Sequence, residues 1–317
     1  MLIFNREKLM ENSKEKGKVL ITGGTGLIGR NLTNLLAERG YEVRILSRTC
    51  TNKTKFSTYC WDIKIGYIDK AALKDIDYII HLAGENIGAG WWTKKRKQII
   101  IDSRVNGSEL IFKTIQEMGI KPKAFISASA VGFYPAFKES EKAFSEDDLP
   151  GTSFLSDICV KWENAADNFQ KAGIRTVKIR TGLVQDKKDP GLNKILLTAK
   201  FGVLPVFGAG KQYFPWIHIN DLTQLYIAAI ENDKFNNAIN AVAPEQITNH
   251  QYIKAIKNTV KQKKIIIKIP LFLIKLLFGE MSEVLINGTK VCSNQQENIG
   301  FDFRYKDINS ALKNILE

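Results

Sequence analysis

A glycine-rich turn between an apolar strand and an amphipathic helix is the feature that most limits how this chain can fold. The segment 18–22 reads KVLIT, the turn at 23–29 reads GGTGLIG, and a helical pattern follows to residue 39. In such a turn the first glycine permits a tight bend, the second lets the backbone approach a pyrophosphate, and the third lets the helix pack closely on the strand. The free N–H groups at the start of the helix also favour an anion. We therefore predict a dinucleotide site rather than a turn without a ligand, formed by Gly23, Thr25, Gly26, Leu27 and Ile28.

Strands and helices alternate along the first 180 residues. The patterns predict strands at 18–22, 43–46, 78–82, 124–127 and 175–179, and helices at 27–39, 93–118 and 154–172. This alternation is typical of an α/β fold, a Rossmann doubly wound parallel sheet with helices on both faces.

The regular alternation of strands and helices ends after residue 182. The segment 202–215 is rich in glycine, proline and aromatic residues, and a helix at 220–232 and a strand at 238–242 follow it. We expect three parts: a polar tail (1–16), a nucleotide-binding Rossmann domain (17–182), and a smaller mixed α/β, substrate-facing C-terminal region (183–317). The strand near 238–242 is a candidate to return to the main sheet.

Composition excludes several classes of protein. The chain has 317 residues, and 44% of them are hydrophobic, which is ample for a packed core. No sustained apolar run opens the chain, so we expect no signal peptide and no membrane partner. The longest apolar stretch, 265–278, is interrupted by Lys268, Pro270 and Lys275 and is expected to be a buried or amphipathic element.

The net charge of +13 is mostly dispersed. Its one dense run, 94–97, lies in a predicted helix, where charges usually form a solvated face, so we expect no nucleic-acid partner. Four cysteines (Cys50, Cys60, Cys159 and Cys292) lack C-x-x-C spacing, and there are only three histidines. We therefore expect no metal site, and a reduced cytoplasm is the natural compartment.

The end of the second strand distinguishes between nicotinamide cofactors. An NAD site normally has an acidic residue there, whereas this chain reads Ile45-Leu46-Ser47-Arg48. Arg48 would bind a 2′-phosphate through charge-assisted hydrogen bonds, and Ser47 could donate another. The sequence thus predicts NADP as the cofactor, the alternative being a surface arginine on a loop.

Further motifs narrow the comparison. The G-x-x-G-x-x-G spacing resembles the short-chain dehydrogenase/reductase superfamily, and so does HLAGEN at 81–86. Other matching segments are Ser103-Arg104, SASAVGFY at 127–134, Trp162-Glu163, RTG at 180–182, G-x-G-x-Q at 208–212, WIHI-x-D at 216–221, Pro270, GEM at 279–281 and GF-x-F at 300–303. From residue 18 to the C-terminus the chain resembles the epimerase-like atypical extended branch of that superfamily.

The resemblance implies roles for individual residues. Asp62, with Ile63, would hold the adenine, and the segment Leu82, Ala83, Gly84 and Glu85 would contact the cofactor. The positions expected to face the substrate are Arg104, Gln212, Trp216 and His218.

The standard catalytic set is incomplete. Family reductases use a Tyr-x-x-x-Lys pair on one helix face, with a serine and an asparagine nearby. Ser129 matches the serine, but Leu155 and Cys159 stand at the tyrosine and lysine positions, and Arg104 at the asparagine. We therefore consider Ser129 and Tyr134 as candidate catalytic residues, since Tyr134 follows the serine on a loop. A packed aromatic with a satisfied hydroxyl is the alternative for Tyr134.

Two functions remain open at this point. One is an NADP-dependent oxidoreductase or epimerase-like enzyme that acts on a small polar molecule with a non-standard proton donor. The other is a non-catalytic NADPH-binding sensor or scaffold, which the missing tyrosine and lysine favour. The sequence leaves the oligomeric state open.

Overall fold

One mostly parallel sheet organises the chain. The computed structural model describes residues 16–49, 54–136, 143–260, 264–294 and 299–317. The strands of the main sheet are β1 (Lys18–Thr22), β2 (Glu42–Ser47), β3 (Ser57–Asp62), β4 (Tyr67–Ile68), β5 (Tyr78–His81), β6 (Ala124–Ala130), β7 (Arg175–Thr181) and β11 (Asn237–Ala241). They lie in the order β11-β7-β6-β5-β1-β2-β3-β4, and only β3 and β4 pair antiparallel.

Helices and two small sheets complete the fold. The helices are α1 (Leu27–Glu38), α2 (Lys94–Glu117), α3 (Phe154–Lys171), α4 (Pro190–Lys200), α5 (Ile219–Glu231), α6 (Asn249–Thr259), α7 (Leu271–Phe278), α8 (Glu283–Ile286) and α9 (Ile308–Leu316). One small sheet pairs β8 (Leu183–Gln185) with β10 (Trp216–His218), and the other pairs β9 (Val203–Phe207) with β12 (Ile265–Ile269).

Alternate residues of each central strand supply the two faces of the sheet. Val19 and Ile21 of β1 pack in the cluster that includes α1 and α5, whereas Leu20 packs on the opposite side with α2 and α3. Side chains of a strand alternate between faces, so a run buried on both sides is apolar throughout. This confirms the doubly wound α/β fold expected from the sequence.

The sheet also includes a strand from beyond residue 182. β11 pairs in parallel with β7, with Ala238 opposite Lys178 and Ala241 opposite Thr181. The chain therefore returns to the main sheet before the elements from α6 to α9. A second core, with Trp216, Tyr252 and Leu312 among its members, lies under this later part of the chain.

Three sequence expectations concern the periphery. Residues 1–15 of the expected polar tail lie outside the described residues, and Lys16 bonds Glu231 at 2.9 Å. Cys159 and Cys292 are not part of a disulfide, but Cys60 is disulfide-bonded, which departs from a fully reduced set. Cys50 is among the residues that the structure does not describe.

Within the described ranges, no helix has the length and apolar character needed to cross a membrane.

Candidate nucleotide-binding site and the network beneath it

The glycine turn brings backbone close to backbone at the carboxyl edge of β1. Gly23 has a φ of +71°, and a Cβ there would lie 3.0 Å from Ala83 N. A Cβ on Gly29 would lie 2.2 Å from Gly23 O, so only glycine lets α1 pack this closely. Gly26 caps the helix without a side-chain hydrogen bond, and the first turn of the helix has no acidic residue. The start of α1 is thus open to an anion, in a cradle whose close backbone packing a Cβ on Gly23 or Gly29 would disrupt.

Arg48 and Glu85 lie side by side at the ends of β2 and β5. Arg48 Nη1 donates to Glu85 Oε1 at 2.8 Å, and the Arg48 side chain is 75% exposed. The hydrogen bond from Arg48 lowers the pKa of Glu85, outweighing the opposing effect of burial. Sequence reasoning assigned both residues to the cofactor but did not foresee that they pair with each other.

Arg96 of α2 joins this pair. Its Nη1 lies 3.4 Å from Glu85 Oε2, and its Nη2 donates to Asn86 O at 2.6 Å. Lys94 and Lys95 are exposed, as expected for a solvated face, but Arg96 and Lys97 are half-buried and ion-paired. The basic run therefore contributes to the site on its inner side, because α2 begins beside the loop that follows β5.

Buried polar groups support the segment after β5 from below. Thr22 Oγ1 accepts from Ala83 N at 3.1 Å and lies 2.8 Å from Nδ1 of His81. His81 is fully buried, and burial lowers its pKa to about 4, so the ring is neutral at pH 7. These contacts hold Leu82 and Ala83 against the glycine turn.

Arg104 lies beneath Gly84 rather than in an open cleft. Its Nη1 donates to the carbonyls of Glu85 and Ile100, at 3.1 and 3.0 Å, and its guanidinium lies 5.0 Å from the Trp162 ring centroid. Burial lowers the pKa of Arg104 to about 10. A Cβ on Gly84 would lie 3.0 Å from Arg104 Cζ, so the glycine leaves room for the guanidinium.

The remaining cofactor candidates lie at the edge of β2 and β3. Ser47 Oγ is 3.3 Å from Thr49 Oγ1, and Asp62 is exposed and accepts from Lys64 N at 2.8 Å. Since β2 and β3 are neighbours next to β1, both residues are on the same side of the glycine turn as Arg48.

Ser129 and Tyr134 belong to one buried network centred on an ion pair. Ser129 Oγ donates to Glu163 Oε1 at 2.7 Å, and the same carboxylate accepts from Arg180 Nε and Nη2, both at 2.9 Å. Arg180 Nη1 donates to Tyr134 Oη at 2.8 Å, and Tyr134 in turn donates to Asn240 Oδ1 at 2.6 Å. The network thus joins β6, α3, β7 and β11.

Burial governs the chemistry of this network. Tyr134 is 1% exposed, and burial raises its pKa despite the nearby Arg180. Burial would lower the pKa of Arg180, but its hydrogen bonds and charge pairing with Glu163 raise it. Both candidate hydroxyls therefore have partners inside the protein. Their catalytic role stays a prediction. The surroundings of Tyr134 agree with the alternative, a packed aromatic side chain whose hydroxyl is satisfied.

The helix positions of the missing pair are apolar. Leu155 is half-buried, and Cys159 is buried with its thiol 3.6 Å from the Ala130 carbonyl. Burial raises the pKa of Cys159 to about 12, so the thiol is protonated and unreactive at pH 7.

Of the three later candidates, Trp216 belongs to the second core, and Gln212 and His218 are buried as well. Gln212 donates to the carbonyls of Phe207 and Leu285, and Trp216 is fully buried with its indole N–H donating to Glu245 O at 3.2 Å. His218 caps α5 by accepting from Asn220 N, and burial lowers its pKa to about 4. Each has a partner within the protein, so their assignment to a substrate stays a prediction.

Sequence reasoning quoted Glu163 and Arg180 as motif residues but gave them no role. Charged residues on a buried helix face and on a central strand were the available signal, because such charges are rarely buried unless paired.

No cluster of three or more His, Cys, Asp or Glu side chains that could hold a metal ion occurs in the described part of the chain.

Comparisons with known proteins agree with this geometry. Residues 19–241 match the family described as NAD dependent epimerase/dehydratase, and residues 269–315 match a domain of unknown function, DUF1731. Epimerase family protein YfhF of Bacillus subtilis is 35% identical over 300 residues, covering 94% of this chain and 97% of its own. The crystal structure of human epimerase family protein SDR39U1 with NADPH superposes with a TM-score of 0.84 at 29% identity, covering 94% of this chain and 98% of that one. A nucleoside-diphosphate sugar epimerase from Corynebacterium glutamicum gives a TM-score of 0.76 at 29% identity, covering 99% of this chain and 62% of that one.

Proposed function

Because the chain belongs to the NAD-dependent epimerase/dehydratase family, we propose that it binds NADP and acts as an epimerase-like oxidoreductase on a small polar molecule. The observation that carries the proposal is the uncapped start of α1, framed by Gly23 and Gly29, with Arg48 at the end of the adjacent strand. This arrangement would hold a pyrophosphate at the helix and a further phosphate at the arginine.

Arg48 is the reason for preferring NADP to NAD. Its guanidinium is largely exposed and pairs with one carboxylate, which a 2′-phosphate could replace as the partner. The NADPH in the human relative supports the same choice. Arg96 would then keep Glu85 neutralised, because it contacts the second carboxylate oxygen.

The substrate class is inferred from the chemistry of the cofactor and from one relative. When bound, the nicotinamide cofactor supplies or accepts a hydride, and a proton must move at the substrate oxygen. Ser129 and Tyr134 are the candidates for that proton, and each would have to exchange its present partner for the substrate. A small polar substrate agrees with the nucleoside-diphosphate sugar epimerase named above, which is 29% identical.

A second candidate function has its own support. The hydroxyl of Ser129 donates to Glu163, and that of Tyr134 donates to Asn240. The positions of the usual proton-transfer pair are taken by Leu155 and Cys159. A protein that binds NADPH as a sensor or scaffold would need nothing more than the cradle.

The cofactor proposal is tested by replacing Arg48. Arg48→Ala should weaken the binding of NADPH by tenfold or more and leave the affinity for NADH nearly unchanged, because a charge-assisted contact contributes about 1.5–3 kcal/mol. Titration calorimetry with both nucleotides measures this. Arg39→Ala is the matched control, since Arg39 also pairs with a glutamate but lies at the other end of α1. Equal losses for both nucleotides would show that Arg48 does not bind the 2′-phosphate.

Catalysis is tested by label transfer. The protein is incubated with NADPH carrying deuterium at C4, on either face, and a panel of carbonyl compounds and nucleotide sugars. Mass spectrometry then looks for deuterated product. The enzyme proposal expects transfer by the natural protein. If transfer appears only in a folded Leu155→Tyr/Cys159→Lys variant, the non-catalytic candidate stands instead.

A further inference from the structure

An apolar surface lies far from the nucleotide cradle in sequence and is almost uncovered. In α7 only Ile274 is buried, whereas Phe272, Leu276 and Leu277 are 67%, 72% and 63% exposed. Sequence reasoning expected 265–278 to be a buried or amphipathic element, and burial is wrong for most of it. Phe272 and Leu276 are one helical turn apart, on the face directed away from Ile274.

The small sheet that precedes α7 has exposed apolar residues at its other end. Phe201, just after α4, is 81% exposed, and Ile265 of β12 is 69% exposed. Ile265 N donates to Gly202 O at 2.9 Å, so the backbone of Ile265 lies next to the residue that follows Phe201. Leu271 packs at Gly208, next to the end of β9, and so joins α7 to the small sheet. We call the most exposed apolar residues of α7, which are Phe272, Leu276 and Leu277, the α7 surface. Exposed apolar patches of this kind usually mark an interaction site.

The exposed charges on α7 and on the segments of the small sheet beside it are lysines, and the first carboxylate beyond α7, Glu280, pairs with Lys97. Segments 190–205 and 264–278 contain five lysines and no aspartate or glutamate: Lys194, Lys200, Lys264, Lys268 and Lys275. All except Lys264 are exposed. A second copy of the chain would place lysines against lysines and would bring no carboxylate from these segments, which is unfavourable.

We propose that the α7 surface docks peripherally on an anionic lipid surface. An interfacial helix combines exposed aromatic and aliphatic side chains with flanking lysines, and it lies in the plane of the headgroups rather than across the bilayer. Phe272 and Leu276 would enter the acyl boundary, while Lys275 and Lys268 extend to acidic headgroups. This proposal differs from the expectation of no membrane partner and does not depend on the cofactor or on catalysis.

Vesicle flotation tests the proposal on the full chain. The vesicles are phosphatidylcholine alone, or phosphatidylcholine mixed equally with phosphatidylglycerol. We expect the protein to float with the mixed vesicles, to remain unbound with phosphatidylcholine alone, and to dissociate as ionic strength rises. Phe272→Glu/Leu276→Glu should lower the bound fraction by about tenfold or more, and Lys268→Gln/Lys275→Gln should lower it and flatten its salt dependence.

A matched variant controls for the added charge. Ile65→Glu/Leu149→Glu replaces two apolar residues that are 77% and 81% exposed outside the α7 surface, and it should float like the natural protein. Thermal unfolding of every variant verifies the fold. The proposal is overturned if the natural protein ignores mixed vesicles, or if the control variant loses binding as well. It is also overturned if Phe272→Glu/Leu276→Glu instead dissociates a lipid-free dimer seen by light scattering, which would assign the surface to a second copy.

Discussion

Replacing Glu163 with glutamine should destabilise the fold severely while leaving its shape nearly unchanged. The glutamine can still accept from Ser129, but Arg180 then keeps its charge without a counter-ion. Both side chains of the pair are only 6% exposed, so water cannot solvate the guanidinium in place of the carboxylate. Breaking a buried ion pair by removing one partner costs about 3–5 kcal/mol.

A double-mutant cycle measures this coupling. Glu163→Gln/Arg180→Met removes both charges together, so we expect its loss in unfolding free energy to be smaller than the sum of the single losses. Asp157→Asn is the matched control, because its partner Lys161 lies on the same helix α3 and both side chains are about half exposed. That exposed pair should contribute about 0.5 kcal/mol or less.

Urea unfolding of the four network proteins and the control provides the numbers. An unfolding free energy for Glu163→Gln within about 1 kcal/mol of the natural protein would refute the buried pair as described. A stable Glu163→Gln protein that binds NADPH but no longer transfers hydride would show that the network serves the reaction rather than the fold.

Three more predictions follow from the same contacts. Tyr134→Phe should cost about 1–3 kcal/mol in urea unfolding, since the hydrogen bonds of its hydroxyl with Arg180 and Asn240 are lost, with NADPH affinity unchanged; a drop in turnover of about 10²–10⁴ at normal affinity would instead identify it as the proton donor. Gly29→Ala should abolish NADPH binding because its Cβ would meet Gly23 O, whereas Gly88→Ala, with 3.5 Å to its nearest neighbour, should bind normally in the same titration. Unfolding free energy should fall as pH drops from about 6.5 towards about 4, because burial depresses the pKa of His81 and of His218 to about 4, so that in this window the two rings take up protons only in the unfolded chain. A stability profile that stays flat over this range would contradict the buried neutral rings.

The parts that sequence alone determined are those that local physics controls. Strand and helix periods follow from apolar spacing, and helix ends follow from caps such as Thr93 and Ser153. The glycine turn is equally local, since Gly23 and Gly29 are six residues apart and their contact is set by a strand followed directly by a helix. The order of the elements then specified a parallel sheet and its binding edge.

Only the tertiary structure decided which polar groups are free. Ser129 and Glu163 are 34 residues apart, and Arg180 is 17 residues beyond Glu163. Ser129 and Arg180 nevertheless both donate to the Glu163 carboxylate. Pairing depends on distance in space and on loss of water, and neither is encoded in a local pattern. The same reason explains α7, whose apolar residues predicted a buried or amphipathic element. Whether an apolar helix is covered depends on what packs against it, and in this fold only the face at Ile274 is covered.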